Sequence, residues 1–139
     1  MMYNNYMNLK EELLDKGYSI IASNGYHSND SGIKPVLMPM NDDIHFFKGL
    51  SVADRIIGKA SAMLLVLSGV SYVYAHVLSE AGRQILEKYG IEYEYGGLAE
   101  YIVNRKGDGM CPMEMTVKDI DDLEEAYAAL KDKVASLAR

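Results

Sequence analysis

The run Ala60-Ser61-Ala62-Met63-Leu64-Leu65-Val66-Leu67 constrains this sequence more than any other feature. A helix made of it is apolar nearly all round, so it must be buried on more than one side. It is also far too short to cross a bilayer. Only a layered fold can cover such an element. The flanking residues predict one long helix from Ser51 to Ser68, with Ser51 and Asp54 at capping-box spacing and Gly69 as a left-handed stop. Val70 to Leu78 follows as a strand rich in β-branched and aromatic residues. Ser79 caps a further helix, Glu80 to Tyr89, which Gly90 ends. Ile91-Glu92-Tyr93-Glu94-Tyr95 alternates with period two and reads as a strand with one wet face, near an edge. Helix, strand, helix, strand is the pattern of an α/β layer with at least one parallel strand pair.

The flanks are read more coarsely. A first helix from Asn5 to Lys16 carries Tyr6, Leu9, Leu13 and Leu14 on one stripe, and Gly17 stops it. Tyr18 to Ala22 is a short strand, and the turn-forming stretch Ser23 to Gly32 is a loop or a degraded hairpin. Pro35 to Met40 is a short helix or irregular chain, because Pro39 disfavours both a long helix and a central strand. Leu98 to Val103 is expected as a short helix and Asn104 to Gly109 as a loop. Pro112 suits the first turn of another helix, and the last helix is expected from Asp121 with Leu123, Tyr127, Leu130, Val134 and Leu137 on one face. One domain over residues 1–139 is expected at this length.

Composition excludes whole classes of function. With 49% hydrophobic and 24% charged residues the chain is an ordinary globular one. Fourteen Lys and Arg against 20 Asp and Glu give a net charge of −6, which argues against nucleic-acid backbones and anionic membranes. A single cysteine closes no internal disulfide, and the polar first residues lack the apolar core of a signal peptide, so a cytoplasmic setting is expected. The 11 tyrosines against 2 phenylalanines read as boundary aromatics that bury a ring and wet a hydroxyl.

Four places can carry chemistry. In Cys111-Pro112-Met113-Glu114, a helix beginning at Pro112 makes Cys111 its N-cap and Glu114 its third residue. Helix-start dipoles stabilise a thiolate, so Cys111 is a candidate nucleophile and Glu114 a candidate base, although a neighbouring carboxylate opposes a second negative charge. The blander reading has Glu114 capping the helix while Cys111 packs as a small hydrophobe. Lys59, the only charge after Arg55 in the long helix, is a ligand or catalytic candidate, or else a lysine snorkelling to solvent. Ser79 opens a helix right after a strand, where free amides collect at the carboxyl edge of a sheet. Arg105, in a Gly-rich loop, can clamp an anion or simply face water. His27, His45 and His76 are scattered, with no metal-ligand spacing, so no metal is expected.

These residues also carry a resemblance. The run Asp54-Arg55-Ile56-Ile57-Gly58-Lys59-Ala60-Ser61-Ala62, then Val73-Tyr74-Ala75, Asn104-Arg105 and Cys111-Pro112-Met113-Glu114, is similar to domain-of-unknown-function family 1893. These are small prokaryotic proteins whose fold resembles cytidine deaminase, and the similarity spans roughly Leu9 to Leu130. It implies a three-layer α-β-α fold, a small mixed sheet with helices on both faces. It adds Asp54, Ser61 and Asn104 to Ser79 and Arg105 as ligand-binding positions, and it implies no reaction. Zinc deaminases need His-Ala-Glu or Cys-Ala-Glu at one helix start and Pro-Cys-x-x-Cys at the next. The corresponding stretches here are Gly58-Lys59-Ala60-Ser61 and Ser79-Glu80-Ala81-Gly82, which hold neither set. No zinc, no other cofactor and no cytidine deamination are therefore expected.

Two functions remain open from the residues. One is a small-molecule site, for an anionic or nucleotide-like ligand or for Cys-dependent catalysis, built from Lys59, Cys111 and Glu114. The other is a non-catalytic interaction or regulatory module with the Tyr-rich strand at residues 91–95 as an association edge; a homodimer is compatible with both.

Overall fold

A computed structural model describes residues 6–137. The elements in chain order are α1 (Tyr6–Lys16), β1 (Ile20–Ala22), β2 (His27–Ser28), α2 (Lys34–Asp42), β3 (Ser51–Ile57), α3 (Lys59–Ser68), β4 (Tyr72–Ser79), α4 (Glu80–Lys88), β5 (Glu92–Ala99), α5 (Pro112–Val117) and α6 (Leu123–Leu137). The expected helix start at Asn5 and the side chain of Tyr6 lie outside what is described.

The strands form one mixed sheet in the order β2-β1-β3-β4-β5. β1 runs antiparallel to both its neighbours, while β3, β4 and β5 are parallel, with Val52 beside Val73 and Val73 beside Tyr93. Alternation along the strands splits the core in two. Ile20, Ala22, Val52, Val73 and Ala75 point into a large cluster with α2 to α6, whose centre is Met63, Leu64 and Leu65 of α3. Ile21, Ala53, Tyr72 and Tyr74 point the other way, onto Leu9 and Leu13 of α1. The result is an α/β fold of three layers, helix-sheet-helix, as expected.

The apolar run is covered from several sides, which explains its composition: Ala60, Ala62, Met63, Leu64 and Leu65 are fully buried. The expected helix from Ser51 to Ser68 is corrected, because its first half is the central strand β3 and only Lys59–Ser68 is helical. Val52, Ile56 and Ile57 favour a strand, and the parallel partner that settles the matter lies 21 residues away, beyond any local pattern. Asp54 therefore caps nothing; its Oδ1 accepts the Ile56 amide at 3.2 Å within the strand. Gly58, in extended backbone, is where strand turns to helix, and Gly69, with φ of 95°, ends α3 as expected.

Two smaller corrections follow. Leu98 and Ala99 extend β5, and no helix covers residues 98–103; Val103 instead bridges Met110. The last helix begins at Leu123, and Asp122, one residue after the expected start, accepts the Glu125 amide at 2.8 Å. The degraded hairpin is real, with Ile20 opposite Ser28. The proline segment is the helix α2 with Pro39 inside it. Pro39 has no N–H to offer the Pro35 carbonyl, and the Tyr26 hydroxyl donates to that carbonyl instead, at 2.6 Å. Tyr26→Phe, which removes only this donor, should lower unfolding free energy by about 1–2 kcal/mol in urea titrations, with an unchanged m-value.

Candidate active site at the carboxyl edge of the parallel strands

Lys59 follows β3, Ser79 ends β4 and Glu100 follows β5, so the carboxyl ends of the three parallel strands lie side by side. A cleft of about 320 Å³ opens there, lined by Lys59, Ser79, Glu114, Lys118, Ile85 and Tyr101 among others. Open α/β sheets bind ligands in this position.

The floor of the cleft is a contact between helix starts. α3 begins at Gly58, which has no side chain with which to cap it. The cap comes from α5. Glu114 accepts the Lys59 amide on Oε1 at 2.7 Å and the Ala60 amide on Oε2 at 2.9 Å. In return the Lys59 ammonium donates to the Lys118 carbonyl, at the end of α5, at 3.0 Å. A carboxylate on a helix start and an ammonium on a helix end each complement the local dipole. The clasp is tight: a Cβ on Gly58 would lie 2.5 Å from the Glu114 carboxyl carbon. At the neighbouring start, the Ser79 hydroxyl accepts the Gly82 amide at 3.0 Å, the cap expected from sequence. Gly82 packs so close that a Cβ there would lie 3.0 Å from the Gly58 carbonyl carbon.

Glu114 is buried, and burial raises its carboxyl above the ordinary range; the Ala60 and Lys59 amides and the Lys59 charge pull it partly back. The expectation that Glu114 caps a helix is thus right in kind, though the helix is α3 and not its own.

The structure brings Lys59, Ser79 and Glu114 together and leaves the other candidates elsewhere. Cys111 is the N-cap residue of α5, half-buried against the large core and absent from the cleft lining. Its N–H donates to the Ile102 carbonyl at 2.8 Å. Asn104 serves its own loop, its Oδ1 accepting the amides of Gly107 at 2.7 Å and Asp108 at 3.2 Å. Arg105 is exposed and reaches Ser31 Oγ at 3.0 Å. Ser61 is buried in α3, away from the lining. Asp54 is buried under the helical layer, beside Ala75 and opposite Ile20, and burial lifts its carboxyl to about 7 against the pull of the Ile56 and Arg55 amides. Sequence reasoning missed Gln84, Lys88, Glu100, Tyr101, Met110 and Lys118 on the cleft walls. Ala81, Gln84, Ile85 and Lys88 recur at helical spacing along α4, the one signal that marked them as a shared face. Among the described residues no three His, Cys, Asp or Glu side chains gather into a metal-binding group.

A three-layer α/β domain with its cleft at the strand ends, and with one helix start closed by a carboxylate from another helix, is the class of protein that this geometry defines. The chain belongs to the family described as Domain of unknown function (DUF1893), whose model matches residues 8–134. It is similar to the solved DUF1893 family protein TM1506 from Thermotoga maritima, with 27% identity, a TM-score of 0.85, and coverage of 96% of this chain and 92% of that one. No curated protein matches it.

Two substitutions test the site. Glu114→Gln replaces one acceptor with an NH2 group facing a helix amide, and should cost about 1–3 kcal/mol in urea unfolding while the fold, followed by circular dichroism, persists. Asp54→Asn should show the opposite sign. A carboxyl whose folded value near 7 exceeds its unfolded value carries a penalty that is full above pH 7 and relieved as pH falls through 7. Relative to the parent, the Asn variant should gain about 2–3 kcal/mol between about pH 5 and about pH 8.5, measured by thermal or urea unfolding at each pH.

Proposed function

We propose that the protein binds a small, nucleotide-like ligand in the cleft at the strand ends, and that it does so without covalent chemistry at Cys111. The observation that carries this reading is the mixture of groups on the cleft wall. Lys59, Lys88 and Lys118 offer cations for an anionic group, while Tyr101, Ile85 and Met110 offer flat and apolar surface for a ring. The start of α3 is no anion site for the ligand, because Glu114 already occupies its amides. Lys88 and Lys118 are exposed, and Lys118 enters the clasp only through its backbone carbonyl.

Binding is favoured over Cys-dependent catalysis because the thiol lies outside the lining. A cytidine deaminase-like fold, which the resemblance implies, fits the placement of the cleft at the starts of α3 and α4. The donors there do not fit zinc: those starts carry Lys59-Ala60 and Glu80-Ala81, and the buried carboxylate of Glu114 beside them is spent on amides. The reading is accordingly of a binding domain on which zinc-dependent deamination is not run. A cytoplasmic setting suits a chain whose one cysteine is free. Among the described residues no helix is long and apolar enough to cross a membrane.

A thermal-shift series with nucleoside mono-, di- and triphosphates tests the reading. At least one should raise the melting temperature in a concentration-dependent way. Lys118→Ala should abolish that shift without changing the melting temperature of the free protein. No shift with any of them, or one that Lys118→Ala and Lys88→Ala leave intact, sinks the reading.

A further inference from the structure

The two edges of the sheet are built differently. At one edge β2, only two residues long, blunts β1. At the other, β5 presents eight residues, Glu92–Ala99, none of them buried and none Lys, Arg or Pro. Its inner side pairs with β4 from Tyr72↔Glu92 to Ser79↔Ala99, while among the described residues no strand lies beside its outer side. Tyr95 and Leu98 are exposed large hydrophobics on this strand. An uncovered strand of this length without the usual guards is a template for another strand.

The sequence of β5 specifies which strand. We propose that β5 pairs antiparallel with β5 of a second copy of this chain about a two-fold axis at Tyr95, making one continuous sheet through both molecules. Such an axis, perpendicular to the sheet, keeps the α1 layers of both copies on one side, so only residues of the same face meet. Centred on Tyr95, the register sets Tyr95 against Tyr95 of the second copy, Tyr93 against Gly97, Glu94 against Gly96 and Glu92 against Leu98. Each carboxylate of the strand then faces an uncharged residue. A shift of one position toward the amino end opposes Glu94 to Glu94, and one toward the carboxyl end opposes Glu92 to Glu100. Like charges directly opposite are unfavourable, so charge pattern selects the Tyr95-centred register between its neighbours.

Shape selects it as well. Tyr93 and Tyr95 of one chain already stack with ring centroids 6.4 Å apart and an interplanar angle of 17°. The Tyr93 hydroxyl is anchored on Glu87 Oε2 at 2.6 Å, which holds the pair upright on the helical side of the sheet. Pairing through Tyr95 joins the two stacks into a row of four rings, with each outer ring covering a glycine of the other copy. An aromatic side chain lying over a cross-strand glycine is a known device for fixing register. On the opposite side Glu94 accepts the Tyr72 hydroxyl, which draws its charge back from the axis.

Light scattering on the full chain tests the proposal. The parent should have twice the mass of one chain, Tyr95→Lys should have the mass of one, and His27→Lys on the opposite edge should stay doubled. A second measurement does not depend on that charge being tolerated. In a Cys111→Ser background, Tyr95→Cys treated with diamide should form an interchain disulfide, the two thiols passing their hydrogens to the diazene. Tyr93→Cys should not, because in this register the two copies of residue 93 are far apart. A parent with the mass of one chain overturns the proposal. So does a folded Tyr95→Lys that remains doubled, or cross-linking at 93 in place of 95. If Tyr95→Lys does not fold, the cysteine pair decides alone.

Discussion

The arrangement of this protein depends on one exchange between helices distant in sequence. α3 is the apolar pillar of the core, yet it starts at a glycine that cannot cap it. A helix start buried without partners for its amides would be expensive. Glu114 takes two of those amides, and Lys59 returns the favour at the end of α5. The exchange fixes α5 against α3, and with it the chain segments that wall the cleft. It also explains why residue 58 is a glycine in unremarkable extended backbone: the space where a side chain would sit is filled by a carboxylate.

What could be read from sequence follows from where each determining interaction lies. The stop at Gly69, the Ser79 cap and the helix beginning at Pro112 rest on groups within four residues of one another, and each is found where the residues place it. β3 was legible only in part. Ser51, Asp54 and the following apolar residues satisfy helical spacing as well as Val52, Ile56 and Ile57 satisfy a strand, and the tie is broken by β4 and β1. Gly58 between the two segments was the local clue. The extension of β5 through Gly96 and Gly97 was hidden for the same reason, since glycines lower strand propensity while the ladder to β4 supplies the missing constraint.

The candidate site divides in the same way. Lys59, Ser79 and Glu114 stand out as polar groups at helix starts, and they do converge. Cys111 stands out by rarity alone, and rarity says nothing of which way a thiol faces. Asn104 has the composition of a binding residue but spends its side chain on its own turn. The cleft wall contributed by α4 and α5 comes from two helices whose juxtaposition no spacing rule contains. Family membership names the fold's relatives and leaves the chemistry of that wall to be argued from its own side chains.

The separation between Lys59 and Glu114, 55 residues, has a kinetic meaning. A contact across so long a loop is non-local, and the entropy of closing the loop must be met before the contact gives any return. The cleft cannot exist before that closure, so a nascent or partly melted chain holding β3, α3 and β4 would possess a core without a pocket. Occupancy of the cleft by the ligand proposed above would therefore depend on completion of the chain through α5, and would report on finished protein alone.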